Sequence, residues 1–367
     1  MAQENLWHFM ESNISEMNSL TQGGYLQDLT GLENLDLSQE WWDQRYVEDM
    51  SIGGKLYTIL GDINIFDNIQ TWGFIYNKKL ANQFDLGNLY DLVWDGTWTL
   101  DQLNEFIKIA AADLDGDGDM DENDRWGMMT ESTNLYFHLL GTGGRVSKNG
   151  DDGYPQLTLN TERNATALEK AHGIMIDTER VMQAENWTHL NSSVIGNVMI
   201  PMFKNDQSLF YFAAVGWGYC ELRDMETEFG ILPVPKLDEA QSEYYNGVSQ
   251  YWATSIGIPV TCAEPDTSAF IMEAMSAASV QTVTKAFNEV VFNSKGLRDE
   301  ESVEIMKLIN KSRVYDIGYL NNWATIQDRL RAILKDNPLQ FASSYAKWEK
   351  GLIKALENTI KSYEEIE

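Results

Sequence analysis

Twelve consecutive residues, DLDGDGDMDEND from Asp113 to Asp124, set carboxylates at positions 1, 3, 5, 9 and 12 of the stretch (Asp113, Asp115, Asp117, Asp121, Asp124). Gly118 occupies position 6, and Asp119 at position 7 is placed to offer its backbone carbonyl. This spacing wraps oxygen ligands round one calcium ion, with glycine making the sharp turn. Without a cation, so many like charges in one turn repel strongly; a solvated acidic turn is the alternative reading. Asp124 stands where glutamate usually closes such a loop, and its shorter arm lowers the expected affinity. A calcium sensor also needs a second helix to swing. Here a helix pattern precedes the loop, but RWGMM after it reads as a strand, and the sequence has no second such loop. The expectation is a structural Ca2+ that staples a helix to a strand, in a protein whose function lies elsewhere.

The second chemistry written in the residue types is aromatic. The chain holds 12 Trp, 16 Tyr and 14 Phe, and many tryptophans sit beside Gly, Asp, Asn or Gln: EWWDQ, VWDGTW, VGWGY, SQYW and LNNW. A sugar stacks its C–H face on such a ring while its hydroxyls bond short amides and carboxylates. Catalysis finds less support. A glycosidase needs two carboxyls about 5–10 Å apart across the scissile bond, and among 56 Asp and Glu spare carboxylates prove nothing. The four histidines (His8, His138, His172, His189) are scattered, and a GxSxG elbow is absent. No enzyme activity is expected.

The elements that must position these residues follow from periodicity. Helices are expected over 12–22, around 40–50, over TWTLDQLNEFIKIAAA with Thr99 as N-cap, around 136–140, 166–182 and 219–226, and through most of the chain after residue 266. Strands are expected at KLYTIL, TWGFIYNKKL (71–80), RWGMM, SLFYFAAVG, FGILPVP and YWATSIGIP. The last helix carries Phe341, Tyr345, Trp348, Leu352, Leu356, Ile360 and Tyr363 at three-and-four spacing, which is a packing stripe. Strands mixed with helices throughout indicate an α/β chain. Its 367 residues suit two lobes, and 43% hydrophobic content is enough for a core.

A formal net charge of -29 argues against nucleic acid and against anionic membrane as partners. Cys220 and Cys262 lack metal-ligand spacing and read as two small buried side chains. No apolar run approaches the roughly 18 residues of a membrane span. MAQENLWHFMESN has neither a basic n-region nor an apolar h-region, so it reads as no secretion signal.

Taken in order, GGYLQDLT, GGKLYTILGD, WGFIYNKKL, TWTLDQL, DLDGDGDMDENDRWG, FGILPVPKLDEAQ and KGLRDEESVEIM give the chain a family likeness. It resembles the extracellular solute-binding proteins of carbohydrate ABC importers (family 1, maltodextrin-binding type), in the version common in Firmicutes. Each motif is loose alone; their order and spacing from about Leu6 to the C-terminus make the match specific. The resemblance implies a two-lobed, type II periplasmic-binding-protein-like α/β fold whose lobes close over a sugar. TWGFIYNK, GVSQYWATSIGIP and RVYDIGYL would be the three hinge crossings. Lobe I would comprise residues 1–71 and 254–315, lobe II residues 76–246, and residues 318–367 would be C-terminal helices packing mainly on lobe II. The partners implied are a sugar or oligosaccharide and the transmembrane subunits of an ABC permease, with this chain a cell-surface, lipoprotein-type monomer that does not itself enter the membrane.

Family members begin with a signal peptide and two strand–helix units that precede this chain's first motif. At roughly 30 residues per unit, about 60–80 residues of lobe I are absent from the likeness. Exposed apolar surface on a truncated lobe I, and weakened ligand binding, are the expected consequences.

By register against the family, the ligand-binding candidates are Trp217 in VGWGY, Trp323 in LNNWA, Tyr136 in TNLYF, Trp42 and Asp43 in EWWD, Trp252 with Gln250, Gln70 with Trp72, and Asp62 after ILG. Two other readings remain. A calcium-dependent adhesion module usually duplicates its acidic loop, and this chain has one. A peptide-binding protein needs an Arg or Lys for the ligand carboxylate, and these loops carry none.

Overall fold

The computed structural model describes residues 8–292 and 300–366. In chain order the elements used below are β1 (Met10–Asn13), α1 (Ile14–Gln22), α2 (Gln44–Met50), β2 (Trp72–Asn77), α3 (Leu100–Ala110), β3 (Trp126–Thr130), α4 (Asn134–Gly141), α5 (Glu162–Met175), β4 (Val181–Gln183), β5 (Ser208–Ala214), β6 (Phe229–Leu232), β7 (Asn246–Gly247), β8 (Thr254–Gly257), α6 (Pro265–Gln281), α7 (Glu300–Lys311), β9 (Arg313–Val314) and α8 (Phe341–Glu365).

One lobe is built on a five-stranded mixed sheet of order β4-β3-β5-β2-β6. β3 runs parallel to β4 and β5, while β2 runs antiparallel to both β5 and β6. The central strands are buried on both faces, so they read as continuous apolar runs without alternation. Their period of two still sorts the side chains. Phe74, Met128, Phe210 and Phe212 join the main core, and Ile75, Met129, Tyr211 and Ala213 join a second cluster with Met199, Ile200 and Phe203 on the opposite face.

The other lobe is built on shorter pairings. β1 pairs antiparallel with β8, Ile59 bridges Ile256 from the other side, and Leu26 bridges Pro259. The expected strand KLYTIL is this single-bridge segment. Phe270, Ile271 and Met275 stand exposed on α6, which turns Ser268, Ala269, Met272 and Ser276 inward.

The three expected crossings lie side by side. Thr71 bridges Val248 in antiparallel fashion, and β7 pairs in parallel with β9. Beside them, Arg145 Nη1 lies 3.1 Å from Asp49. Asp316 accepts from the Val146, Ser147 and Gly318 amides and from the Tyr136 hydroxyl, so the third crossing is pinned to the loop after α4.

Several elements end earlier than their patterns suggest. The expected strand over 71–80 stops at Asn77, whose side chain accepts from Leu80 N and caps a helix Lys78–Gln83. The expected helix 12–22 begins at Ile14, because Ser12 and Asn13 extend β1 and Asn13 is the N-cap. The pattern 166–182 divides into α5 and the edge strand β4. Thr99 does cap α3, accepting from Gln102 N at 3.3 Å.

α7, inside the 254–315 segment, packs on β6 and the helix Leu89–Trp94 of the sheet lobe. α8 buries Phe341, Tyr345, Trp348, Leu352 and Tyr363. It rests on α5 and the strand Pro155–Leu157 and continues onto α1. Lys55 Nζ donates to the Ile366 carbonyl at 2.8 Å, so the helix spans from one lobe to the other. Among the described residues no helix is long and apolar enough to cross a membrane.

Candidate functional site

A cavity of 540 Å³ opens where β3 and β5 end. Its position follows from topology: polar groups and chain reversals collect beyond the carboxyl ends of parallel strands. Thr130 and Glu131 enter from the end of β3, and Phe212, Ala213, Gly216 and Trp217 from the end of β5. Ile69, Gln70 and Trp72 come from the first expected crossing and its lead-in, and Trp252 from within the second. Gly216 has to be glycine. A Cβ there would sit 2.2 Å from Ile69 Cγ2, and that close approach brings the first crossing against the base of Trp217.

The rings are held differently. Trp72 is fixed: its Nε1 donates to Asn134 Oδ1 at 2.7 Å, and its ring stacks on Phe137 at 4.3 Å between centroids. Asn134 in turn donates to Thr130 Oγ1 and the Phe212 carbonyl. Trp217 is half-buried, whereas Trp252 is 69% exposed, an unusual state for an indole unless it awaits a partner. Gln70 is half-buried, and its carbonyl accepts from Ser249 N at 3.0 Å, which ties the first crossing to the second.

Four sequence candidates therefore meet on one cavity: Trp217, Trp252, Gln70 and Trp72. The other six do not line it. Trp323 is buried and donates to Thr359 Oγ1 under α8. Trp42 is buried and donates to Glu273. Asp43 caps α2 through the Arg45 and Tyr46 amides and accepts from the Tyr315 hydroxyl at 2.7 Å. Asp62 accepts from Thr284 Oγ1 at 2.7 Å. Tyr136 stacks flat on Tyr319 and donates to Asp316. Gln250 is buried, and its carbonyl accepts from Ser15 N. In all but Gln250, whose bond is made by its backbone carbonyl, a side-chain polar group that could serve a ligand is engaged by the fold instead.

Sequence reasoning missed Glu131, Thr130, Tyr211, Ser193 and Glu221, all of which line the cavity. One was within reach: Glu221 lies four residues after Trp217, one helical turn on. Burial holds the Glu131 carboxyl above its ordinary value, with the Glu185 carboxylate adding to the shift. Burial also raises the Tyr211 hydroxyl, with Glu131 and Glu221 adding their charge. Cys220, expected to be buried, is exposed at this cavity, while Cys262 is buried.

No family model matches the sequence and no curated protein matches it. Solved structures do. The galacto-N-biose/lacto-N-biose I-binding protein of an ABC transporter from Bifidobacterium longum, in complex with lacto-N-biose, is 12% identical at a TM-score of 0.62, over 96% of this chain and 82% of that one. The ABC substrate-binding protein Lmo0181 of Listeria monocytogenes, in complex with cycloalternan, is 15% identical at 0.58, over 97% and 84%. UgpB of Mycobacterium tuberculosis, in complex with glycerophosphocholine, is 14% identical at 0.55, over 98% and 83%. The chain has the two-lobed fold of the ABC substrate-binding proteins.

Away from the cavity, the substrate-binding-protein fold carries the acidic loop between α3 and β3. Ala112 and Arg125 bridge at its base. Gly118 at φ +93 makes the turn that other residues adopt only under strain. Carboxylate oxygens of Asp113, Asp115 and Asp117 lie within 4.8 Å of one another and are exposed, a donor set that fits a hard divalent cation. Asp115 is raised: the Asp117 amide pulls it down, but burial and the Asp117, Asp124 and Asp121 carboxylates outweigh that pull. Asp124 is turned inward and fully buried, accepting from the Leu114 and Asp121 amides at 2.7 and 2.8 Å. It closes the loop through backbone rather than facing the other three carboxylates with free oxygens.

Proposed function

We propose that this chain captures a sugar or oligosaccharide in the 540 Å³ cavity and delivers it, at the cell surface, to the transmembrane subunits of an ABC permease. The carrying observation is that Trp72, Trp217 and Trp252 meet Gln70 on one cavity beside two hinge crossings. Rings supply the stacking surface, while Gln70, Thr130, Ser193 and the two glutamates supply partners for hydroxyls. Lobe closure about the crossings would bring the second lobe onto a bound ligand, driven by the ligand's better fit to the closed state. The fold neighbours are binding proteins, which agrees with capture rather than turnover.

A peptide or amino acid is a poorer fit. No Lys or Arg lines the cavity among the described residues to pair with a carboxylate. The acidic loop belongs to the same reading as a structural calcium site, held by Asp113, Asp115 and Asp117 with Asp119 and Asp121 completing the shell. Asp124 would act there by fixing the loop's shape. Calcium would neutralise the clustered charge and hold α3 to β3.

The test is a thermal-shift screen against mono- and oligosaccharides, followed by calorimetry on hits. A ligand at about 100 times its dissociation constant stabilises by about 2.7 kcal/mol, which moves the melt by several degrees. Binding of a saccharide, lost when Trp217 is replaced, supports the reading. A cooperative melt that no saccharide shifts sinks it.

A further inference from the structure

The charge lining the cavity is of one sign. Glu131 and Glu221 are its charged lining residues, and no cation joins them among the described residues. Two arginines lie near without lining it. Arg331 acts on Glu131 but is paired with Asp328 at 3.1 Å, and Arg223 acts on Cys220 beside Glu221. Both glutamates act on the same Tyr211 hydroxyl, so their charge converges on one wall of the cavity. Glu131 is also held away from water and beside Glu185, a position that favours any nearby positive charge. The same lining includes indoles, with Trp217 one helical turn before Glu221, and indole faces attract cations by their quadrupole as well as stacking sugars.

The surface beyond has the same sign. Two residues along the chain from Trp252, Thr254 donates to Glu11, which also accepts from Asn64. The chain as a whole carries -29. A field of that sign concentrates cations at a low-dielectric cleft and repels anions.

We propose that the cleft is selective for a saccharide carrying a protonated amine, whose ammonium is held between the Glu131 and Glu221 carboxylates and an indole face. This rests on the saccharide reading of the cavity and narrows it. A neutral sugar would meet the two carboxylates with hydroxyl hydrogen bonds alone and leave their charge uncompensated, and an acidic sugar would add a third negative charge. An amine-bearing sugar satisfies the carboxylates with charge-assisted hydrogen bonds while its C–H face stacks.

The experiment uses matched oligosaccharides of glucosamine and of galactosamine, their N-acetylated counterparts, the parent neutral sugars and oligogalacturonate. Affinities are measured by calorimetry on the full chain at pH 7, in low and in high NaCl. The expected result is that at least one amine binds about tenfold tighter than its N-acetyl counterpart, with the preference shrinking in high salt. Oligogalacturonate is expected not to bind. In Glu131→Gln and in Glu221→Gln, each checked by its melt, the amine-to-N-acetyl ratio should fall towards one. Two variants keep the test alive should one fail to fold. Neutral or acidic sugars binding as well as the amines would overturn the charge preference while leaving the saccharide reading intact. Silence from every member of the panel would instead remove the saccharide reading, and this proposal with it.

Discussion

Arg313 reaches Asp67 at 2.7 Å through Nη1, and its Nε lies 3.1 Å from Asp43 Oδ2, so one guanidinium at the start of β9 serves two buried carboxylates. Burial pushes Asp67 up to about 6; Arg313 opposes the shift and Asp43 adds to it. A buried cation with two acidic partners is costly to leave half-satisfied. Arg313→Met is expected to lower stability by about 3–5 kcal/mol, since it strands Asp43 and Asp67 together. Urea unfolding would show this, and a loss under about 1 kcal/mol would mean that water reaches the cluster.

The same cluster has a pH signature. An acid whose folded pKa lies above its ordinary 3.8 holds its proton more tightly when folded. Its stabilising contribution is complete below about pH 4 and falls away as pH rises to about 6. Asp67→Asn removes that titration, so the variant should gain on the wild type across this window, by on the order of 2 kcal/mol. Parallel melts from pH 4 to 7 read the difference directly. A flat difference would place Asp67 at an ordinary pKa.

Tryptophans in the cavity and in the core should respond in opposite ways. Trp252→Ala removes an exposed ring, so the melt should hardly move while saccharide affinity falls at least about tenfold. Trp323→Ala opens a void under α8 and strands Thr359, for an expected loss of about 3–5 kcal/mol. Should Trp252→Ala destabilise and keep its binding, the ring would be structural and the cavity assignment would need revision.

These two tryptophans also show what the sequence could and could not say. VGWGY and LNNW look alike as strings, each an indole among small polar residues. Gly216 packs against Ile69 and leaves Trp217 half-exposed at the end of β5, whereas Trp323 is covered by α8, thirty-odd residues later in the chain. The covering helix was legible from its stripe, but not what it would cover. Asp43 and Asp62 lie off the cavity for a similar reason. Their carboxylates are engaged by Tyr315 and Thr284, more than 200 residues away. Glu131 was not legible, because one more glutamate in a chain of 56 acids carries no signal until the strand ends around it are known.

Removing divalent cations should loosen one place. With EDTA the melt is expected to fall by several degrees and to recover on adding Ca2+ but less with Mg2+, which demands tighter octahedral geometry. Asp115→Asn should remove most of the calcium response, because it takes one carboxylate from the set at Asp113, Asp115 and Asp117. Identical melts in chelator and in millimolar Ca2+ would leave only the solvated-turn reading.

His138 gives a slope opposite in sign to that of Asp67. Its ring is fully buried on α4 near Phe74 and Phe212, and neither nitrogen has a hydrogen-bond partner. Burial lowers its pKa from 6.5 to about 3. The unfolded chain therefore takes up a proton between about pH 6.5 and 3 that the folded one refuses. Stability from this group is present above pH 6.5 and is lost as pH falls. Between pH 4 and 6 the two groups compete, so the wild type should show a shallower pH dependence than either variant alone. His138→Leu removes two unsatisfied polar atoms at similar volume, and it should be neutral at pH 7 or stabilising by about 1 kcal/mol. At pH 5 the gain should be larger, since the unfolded variant no longer binds the proton. A loss of stability at both pH values would show that the imidazole has a buried partner, such as an ordered water, and is held there for it.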